Sequence, residues 1–283
     1  MTVPGLPPIL YLDAVRAALA EDLGRAGDLT TDSIVPAGRR AEGHLVARAC
    51  GRICGLPVVA AAFRELGADV EVVPQVEEGA DVDAGAPLAR VSGPARALLT
   101  AERVALNFLG HLSGIATATR DLVRLVDGSG TRIADTRKTT PGLRALEKYA
   151  VRVGGGSNHR FGLDDAVLIK DNHLAVAGGV AAAVALARAG VGHWVKIEVE
   201  VDTLEQLDAA LEAGVDAVLL DNMDPATLAE AVRRAAGRAI TEASGGVTAE
   251  TLPAVAATGV DLVSVGWVTH SAPCLDVALD LEP

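Results

Sequence analysis

The sequence predicts an α/β protein: a parallel α/β barrel, closed or nearly closed, carrying a smaller, sheet-rich N-terminal α/β domain. Three observations support this. From about Ala134 onward, short β-type runs ending in polar or charged residues alternate with Ala- and Leu-rich helical stretches, the pattern of parallel strands joined by crossover helices. The later strands start only 22 or 23 residues apart, a spacing that suits a barrel better than a doubly wound sheet. The first hundred residues are punctuated differently, with Gly79, Gly85 and Gly93 set among short alternating runs.

In order along the chain, a helix is expected over Leu12 to Leu23, then strands at His44 to Arg48, Val70 to Val73 and Pro87 to Val91. Leu98 to Leu109, continuing past Gly114 to Leu125, reads as one long or broken helix leading into the barrel. Barrel strands are expected at Arg132 to Thr136, Ala166 to Lys170, Trp194 to Val201, Ala217 to Asp221, Ala239 to Ser244 and Asp261 to Gly266. Helices fall between them at Leu143 to Val151, Val180 to Ala189, Leu204 to Ala213, Ala226 to Ala236 and Ala249 to Ala257. Half of the 283 residues are apolar, enough for a barrel with a partner domain. The expected division is 1–110 for the N-terminal domain, rejoined by 271–283, and 111–270 for the barrel.

Composition excludes several classes. Met1 to Leu12 lacks Lys and Arg and is broken by three prolines, and no apolar run reaches spanning length uninterrupted, so a cytoplasmic protein is expected. A net charge of -12 and only seven aromatic residues argue against nucleic acid and anionic membranes as partners. Cys50, Cys54 and Cys274 form no CxxC pair, and mostly buried thiols are expected. Glu78 to Leu88 shares the turn pattern of lipoyl and biotinyl carrier domains, but no lysine precedes position 138, so there is no attachment point.

The chain has only four lysines, Lys138, Lys148, Lys170 and Lys196, all in one stretch, and Arg132 to Lys170 is locally cationic inside an acidic protein. A solvated basic face would look the same, but these cations sit beside apolar strands and glycines, where anions bind. In Trp194 to Val201 the side chains alternate, with Lys196, Glu198 and Glu200 on one face. A ring of helices needs the apolar face, so the charged one points inward, where it must be paired. Lys196 with Glu198 is open to a purely structural ion-pair reading; Glu200, nearest the strand end where barrel active sites lie, is the functional candidate.

The densest chemistry lies in Asp135-Thr136-Arg137-Lys138-Thr139-Thr140-Pro141-Gly142, then Ser157-Asn158-His159-Arg160, then Lys170-Asp171-Asn172-His173. Arginine accepts a carboxylate bidentately and lysine suits a pyrophosphate, so a polyanionic substrate is implied. Glu200 and Asp221, ending successive strands, could hold one hard divalent cation, which suggests Mg²⁺. Ser244-Gly245-Gly246 and Ser264-Val265-Gly266-Trp267 offer glycine turns that cradle phosphate after the last two strands.

At these residues the chain closely resembles the quinolinate phosphoribosyltransferase (carboxylating nicotinate-nucleotide pyrophosphorylase) family. The likeness runs from Glu21-Asp22 and Gly27-Asp28-Leu29-Thr30-Thr31 to Thr269-His270-Ser271-Ala272-Pro273 and is most specific from Thr136 to His173. It implies an N-terminal α/β domain, an incomplete α/β barrel, and a homodimer whose active site borrows Arg103 from the partner subunit. It further implies that Arg137, His159, Arg160 and Lys170 hold the quinolinate carboxylates. Lys138, Glu200, Asp221, Ser244, Gly245 and the Gly266 turn would hold phosphoribosyl pyrophosphate and Mg²⁺, with Thr136, Gly246 and Val265 beside them and His270 as an extra phosphate contact or a helix cap. Two departures stand out: Trp267 is bulkier than the small residue expected after Gly266, and Cys274 follows Ser-Ala-Pro.

The implied reaction gives nicotinate mononucleotide, pyrophosphate and carbon dioxide, a step of NAD biosynthesis, with Lys138, Lys170, Glu200 and Asp221 as the catalytic set. Three alternatives stay open: the same fold acting on another acceptor, a Schiff-base aldolase using Lys170 or Lys196, and a catalytically silent binding protein.

Overall fold

The computed structural model describes residues 3–282. They fall into two compact units, one comprising residues up to Arg120 with Thr139–Gly155 and Val268 onward, the other Asp121–Lys138 with Gly156–Trp267. The sequence reading cut the chain at 110 and 270; by packing, the first unit extends ten residues further along a helix and also takes 139–155.

In the first unit, helix α1 (Leu12–Leu23) and the short α2 (Leu29–Ile34) precede strand β1 (Arg40–Ala47). Then come β2 (Gly51–Arg52), α3 (Leu56–Leu66), β3 (Glu71–Pro74), β4 (Asp81–Val82) and β5 (Pro87–Pro94). α4 (Ala95–Leu125) follows, its last turn belonging to the second unit. α2 escaped the sequence reading because it is a six-residue turn of helix held by its cap: the Asp28 carboxylate accepts from Thr31 N–H at 2.9 Å. α3 escaped because Val58-Val59-Ala60-Ala61-Ala62 is apolar all round and shows no period. α4 is one unbroken helix of 31 residues. Its glycines mark a close approach instead of a bend: a Cβ on Gly110 would lie 2.8 Å from Leu275 O, and one on Gly114 would collide with Pro273 O.

The first unit's main sheet is antiparallel in the order β12-β1-β5-β3, with β12 (Val277–Leu281) paired to β1 from Gly43↔Leu281 to Ala47↔Val277. On β1, Gly43, Leu45 and Ala47 face the interior. α5 (Arg144–Val153) also belongs here; its buried Glu147 accepts from Thr140 N–H at 3.0 Å and lies 2.9 Å from His111 Nε2. Of the cysteines Cys54 alone is buried, whereas Cys50, in the turn after β1, and Cys274 are exposed, which corrects the expectation of mostly buried thiols.

The second unit is built on six parallel strands: β6 (Arg132–Ala134), β7 (Val167–Ile169), β8 (Ile197–Val201), β9 (Ala217–Asp221), β10 (Ile240–Ser244) and β11 (Leu262–Ser264). Their spatial order is β6-β11-β10-β9-β8-β7. β6 and β7 stand at the two ends of that order, so the ring is open between them and the barrel is incomplete. Beside β6 the chain at Ser157 takes the place a strand would have, with Ser157 N–H donating to Ile133 O (2.7 Å) and Asp135 N–H to Ser157 O (3.1 Å). The crossover helices are α6 (Asp171–Ala177), α7 (Val180–Gly190), α8 (Leu204–Glu212), α9 (Pro225–Ala235) and α10 (Leu252–Ala256), and α11 (Trp267–His270) starts at the end of the barrel. Where the sequence reading started a strand at Trp194, the chain is still turning at the surface, with Val195 N–H donating to Gly192 O. Lys196 is therefore exposed and meets Asp216 at 3.3 Å, so the structural pair with Glu198 does not form. No single helix among the described residues is long and apolar enough to cross a membrane.

Candidate active site

Parallel register decides what the barrel's carboxyl edge presents. Because Glu198 pairs with Ala217 and Asp221 with Ser244, side chains that share the inner face advance together, and strand ends meet at one edge. Thr136, Arg137 and Lys138 follow β6, Lys170 follows β7, and Glu200 lies one residue before the end of β8. Asp221 ends β9, Ser244 ends β10 with Gly245 and Gly246 next, and Val265 and Gly266 follow β11. His159 and Arg160 enter through the open seam beside β6.

Arg137, Lys138 and Lys170 are exposed, whereas Arg160 is half-buried, its guanidinium donating to Ala166 O at 3.1 Å and its buried Nε without a hydrogen-bond partner. Burial, then the charge of Arg137, lowers the Arg160 pKa from its ordinary value, the signature of cations crowded together where an anion would relieve them. Lys170 Nζ lies 2.5 Å from Glu200 Oε2. Asp221 accepts from Asn222 Nδ2 at 2.6 Å, and Asn222 sits at φ +53°.

The turns after β10 and β11 are shaped by absent side chains. Gly245 has φ +106°, and a Cβ there would collide with Asn222. A Cβ on Gly266 would come within 2.9 Å of Lys138 Cδ and 3.4 Å of Thr136 Oγ1. The Thr136 hydroxyl accepts from Lys138 N–H at 3.0 Å. Val265 is buried and its N–H donates to Ala134 O, leaving only its carbonyl to contribute. Trp267, bulky as it is, has a role: its indole N–H donates to Val247 O at 3.2 Å and braces the glycine turn.

Beneath this edge lies an acidic interior that the sequence reading did not assign to the site. Asp135, fully buried, accepts from Asn158 Nδ2 (2.5 Å) and from His159 N–H (2.9 Å). His159 Nε2 lies 3.0 Å from Glu198 Oε2 and 3.6 Å from Glu242 Oε1. Glu242 had a readable signal, since Ile240, Glu242 and Ser244 share one face of β10 as Glu198 and Glu200 share one face of β8.

Arg103 and His270 belong to the first unit. Arg103 is exposed on α4 and lines a cavity of about 680 Å³ together with Glu21, Asp22, Asn107 and His111. His270 is exposed, its Nδ1 2.6 Å from Ser271 Oγ.

Residues 28–113 match the model of the quinolinate phosphoribosyl transferase N-terminal domain and residues 115–280 that of the C-terminal domain. The chain is 46% identical over 261 residues to a protein of Bacillus subtilis named as a probable carboxylating nicotinate-nucleotide pyrophosphorylase, covering 92% of this chain and 90% of that one. It is 49% identical over 274 residues to the enzyme so named from Mycobacterium leprae, covering 95% and 96%. The crystal structure of NadC from Streptococcus pyogenes superposes with a TM-score of 0.95 at 41% identity, covering 99% of each chain.

Proposed function

This chain belongs to the quinolinate phosphoribosyltransferase family, and we propose that the carboxyl edge of its open barrel is where both substrates of that reaction meet. It is a phosphoribosyltransferase of NAD biosynthesis that transfers phosphoribosyl from phosphoribosyl pyrophosphate to quinolinate and releases pyrophosphate and carbon dioxide. The observation that carries the site assignment is the parallel register, which delivers Lys138, Lys170, Glu200, Asp221 and two glycine turns to one edge of one sheet.

Arg137, Arg160 and Lys170 face the two carboxylates of quinolinate, with His159 behind Arg160. Lys138 and the turns at Ser244–Gly246 and Gly266 take the phosphates. Glu200 and Asp221 are hard oxygen donors ending adjacent strands, a set that fits Mg²⁺. Held there, such an ion would supply positive charge to a leaving pyrophosphate. The pyridine nitrogen attacks the anomeric carbon as the C–O bond to pyrophosphate breaks, and Lys138 accepts charge developing on the leaving group. The 2-carboxylate then departs as carbon dioxide; the electron pair left on ring carbon 2 is steadied by Lys170 until a proton replaces the carboxylate. The attack needs no general base. The active form is a homodimer in which Arg103 serves the partner's site. A cytoplasmic setting follows from substrates too highly charged to cross a bilayer unaided.

The test is an assay of the purified chain with quinolinate labelled in its 2-carboxylate. Labelled carbon dioxide and pyrophosphate should appear in equal amounts and only when both substrates are present. Pyrophosphate release with nicotinate, and none with quinolinate, would overturn this reading.

A further inference from the structure

His159 is hemmed in on both ring nitrogens. Its Nδ1 accepts the Arg160 backbone N–H at 2.7 Å, so Nδ1 carries no proton. The ring is therefore neutral and protonated on Nε2, the nitrogen that faces Glu198 and Glu242 at 3.0 Å and 3.6 Å. Glu198 is 8% and Glu242 3% exposed, and in each the Oε1 oxygen is buried without a hydrogen-bond partner. Such oxygens are costly unless something cationic or protic faces them.

A metal ion is one candidate, since His159, Glu198 and Glu242 offer ligand atoms within 4.8 Å of one another. The tautomer argues against it. A ligating imidazole coordinates through its bare nitrogen and donates from the other, and here the bare nitrogen is Nδ1, on the wrong side. What stands nearest the carboxylates is Nε2, the nitrogen left to carry the ring's proton.

We infer that Glu198 and Glu242 are positioning residues for the transfer reaction: they hold His159 in its Nε2–H form against the barrel interior, so that it serves the acceptor through the Arg160 backbone and not through a ring nitrogen. This inference rests on the quinolinate site proposed above. The chain of contacts is continuous. Asp135, just past the end of β6, takes the His159 N–H, Glu198 on β8 and Glu242 on β10 face its ring, and the ring takes the Arg160 N–H. Three strands thus fix the stretch of chain that fills the open seam, and with it the start of the Arg160 side chain.

The experiment uses the full chain labelled with ¹⁵N-histidine, the His159 signals being assigned by their loss in His159→Asn. The expected spectrum shows the Nε2–H form from about pH 6 to about pH 8, unchanged when quinolinate is added. Glu198→Ala should mix the tautomers and raise KM for quinolinate about tenfold, leaving KM for phosphoribosyl pyrophosphate within about twofold. Glu198→Gln, whose amide oxygen still accepts from Nε2–H, should recover most of that loss. A merely structural role would lower the unfolding temperature without moving the tautomer. The inference is overturned by an Nδ1–H spectrum, by a quinolinate-induced shift of Nε2, by an unchanged quinolinate KM in Glu198→Ala, or by binding of one equivalent of Zn²⁺ that Glu198→Ala abolishes. If Glu198→Ala does not fold, the parent spectrum and the Glu198→Gln kinetics still decide. Absence of turnover in the parent protein would instead count against the proposed function.

Discussion

Glu242 is almost fully buried, and burial first, then the neighbouring Glu198, lifts its pKa from 4.5 to about 7. The folded protein then binds this proton more tightly than the unfolded chain does. The resulting stability is complete below the unfolded value near 4.5 and is lost as the pH rises through about 7. Glu242→Gln cannot ionise, so it is expected to be more stable than the parent above pH 7, by up to about 3 kcal/mol, with the difference vanishing in acid. Urea unfolding midpoints on the two sides of that window check it, and equal midpoints in alkali would show that Glu242 carries no such shift. Arg160→Lys removes the planar fork and should weaken quinolinate binding by about 2–5 kcal/mol, read by calorimetry; an unchanged affinity would remove Arg160 from the acceptor site. The exposed cations were legible in the sequence because lysine is scarce and clustered. The buried acids were less so: the alternation of β10 puts Glu242 on the face of Ser244, but that it and Asp135 converge on His159 shows only when distant stretches of chain come together.

Elements were legible where period and flank agreed. α1 matches its expected bounds, and β9 its expected span, because a run of apolar residues ends on a charge or a glycine. Elements defined by their neighbours were not, as with the two-residue strands β2 and β4, which exist only as a pair. α8 shows a start that both sequence and structure support: the Thr203 side chain takes Gln206 N–H and the Gln206 side chain reaches back. Thr203→Ala should cost about 1 kcal/mol in thermal unfolding and leave the kinetics alone. Gly266→Ala belongs to the same scale but moves the chemistry. A methyl at Gly266 must displace Lys138, so KM for phosphoribosyl pyrophosphate should rise while that for quinolinate stays put; equal effects on both would place Lys138 elsewhere.

For the whole molecule, the proposed dimer would place Arg103 in trans, and a mixing experiment tests it. Arg103→Ala and Lys138→Ala should each be inactive alone. Reassociated together, they should regain roughly a quarter of the parent's sites, because only mixed dimers carry one intact site. No recovery would mean that Arg103 acts within its own chain. The barrel class was legible from strand spacing and its incompleteness from the family resemblance; where it opens was not, since no residue announces that β6 and β7 stand apart, and the bridge at Ser157 shows what lies beside β6.

The pairing of β12 with β1 joins partners that are far apart in the chain; Arg48, just past β1, and Asp280, within β12, meet across 232 residues. During synthesis, every strand of the barrel therefore leaves the ribosome before β1 can acquire its second neighbour. Until then β1 presents an open row of amides and carbonyls, a template for the same segment of another nascent chain. Arrival of β12, not emergence of the first domain's other strands, is thus the moment at which this edge stops being sticky.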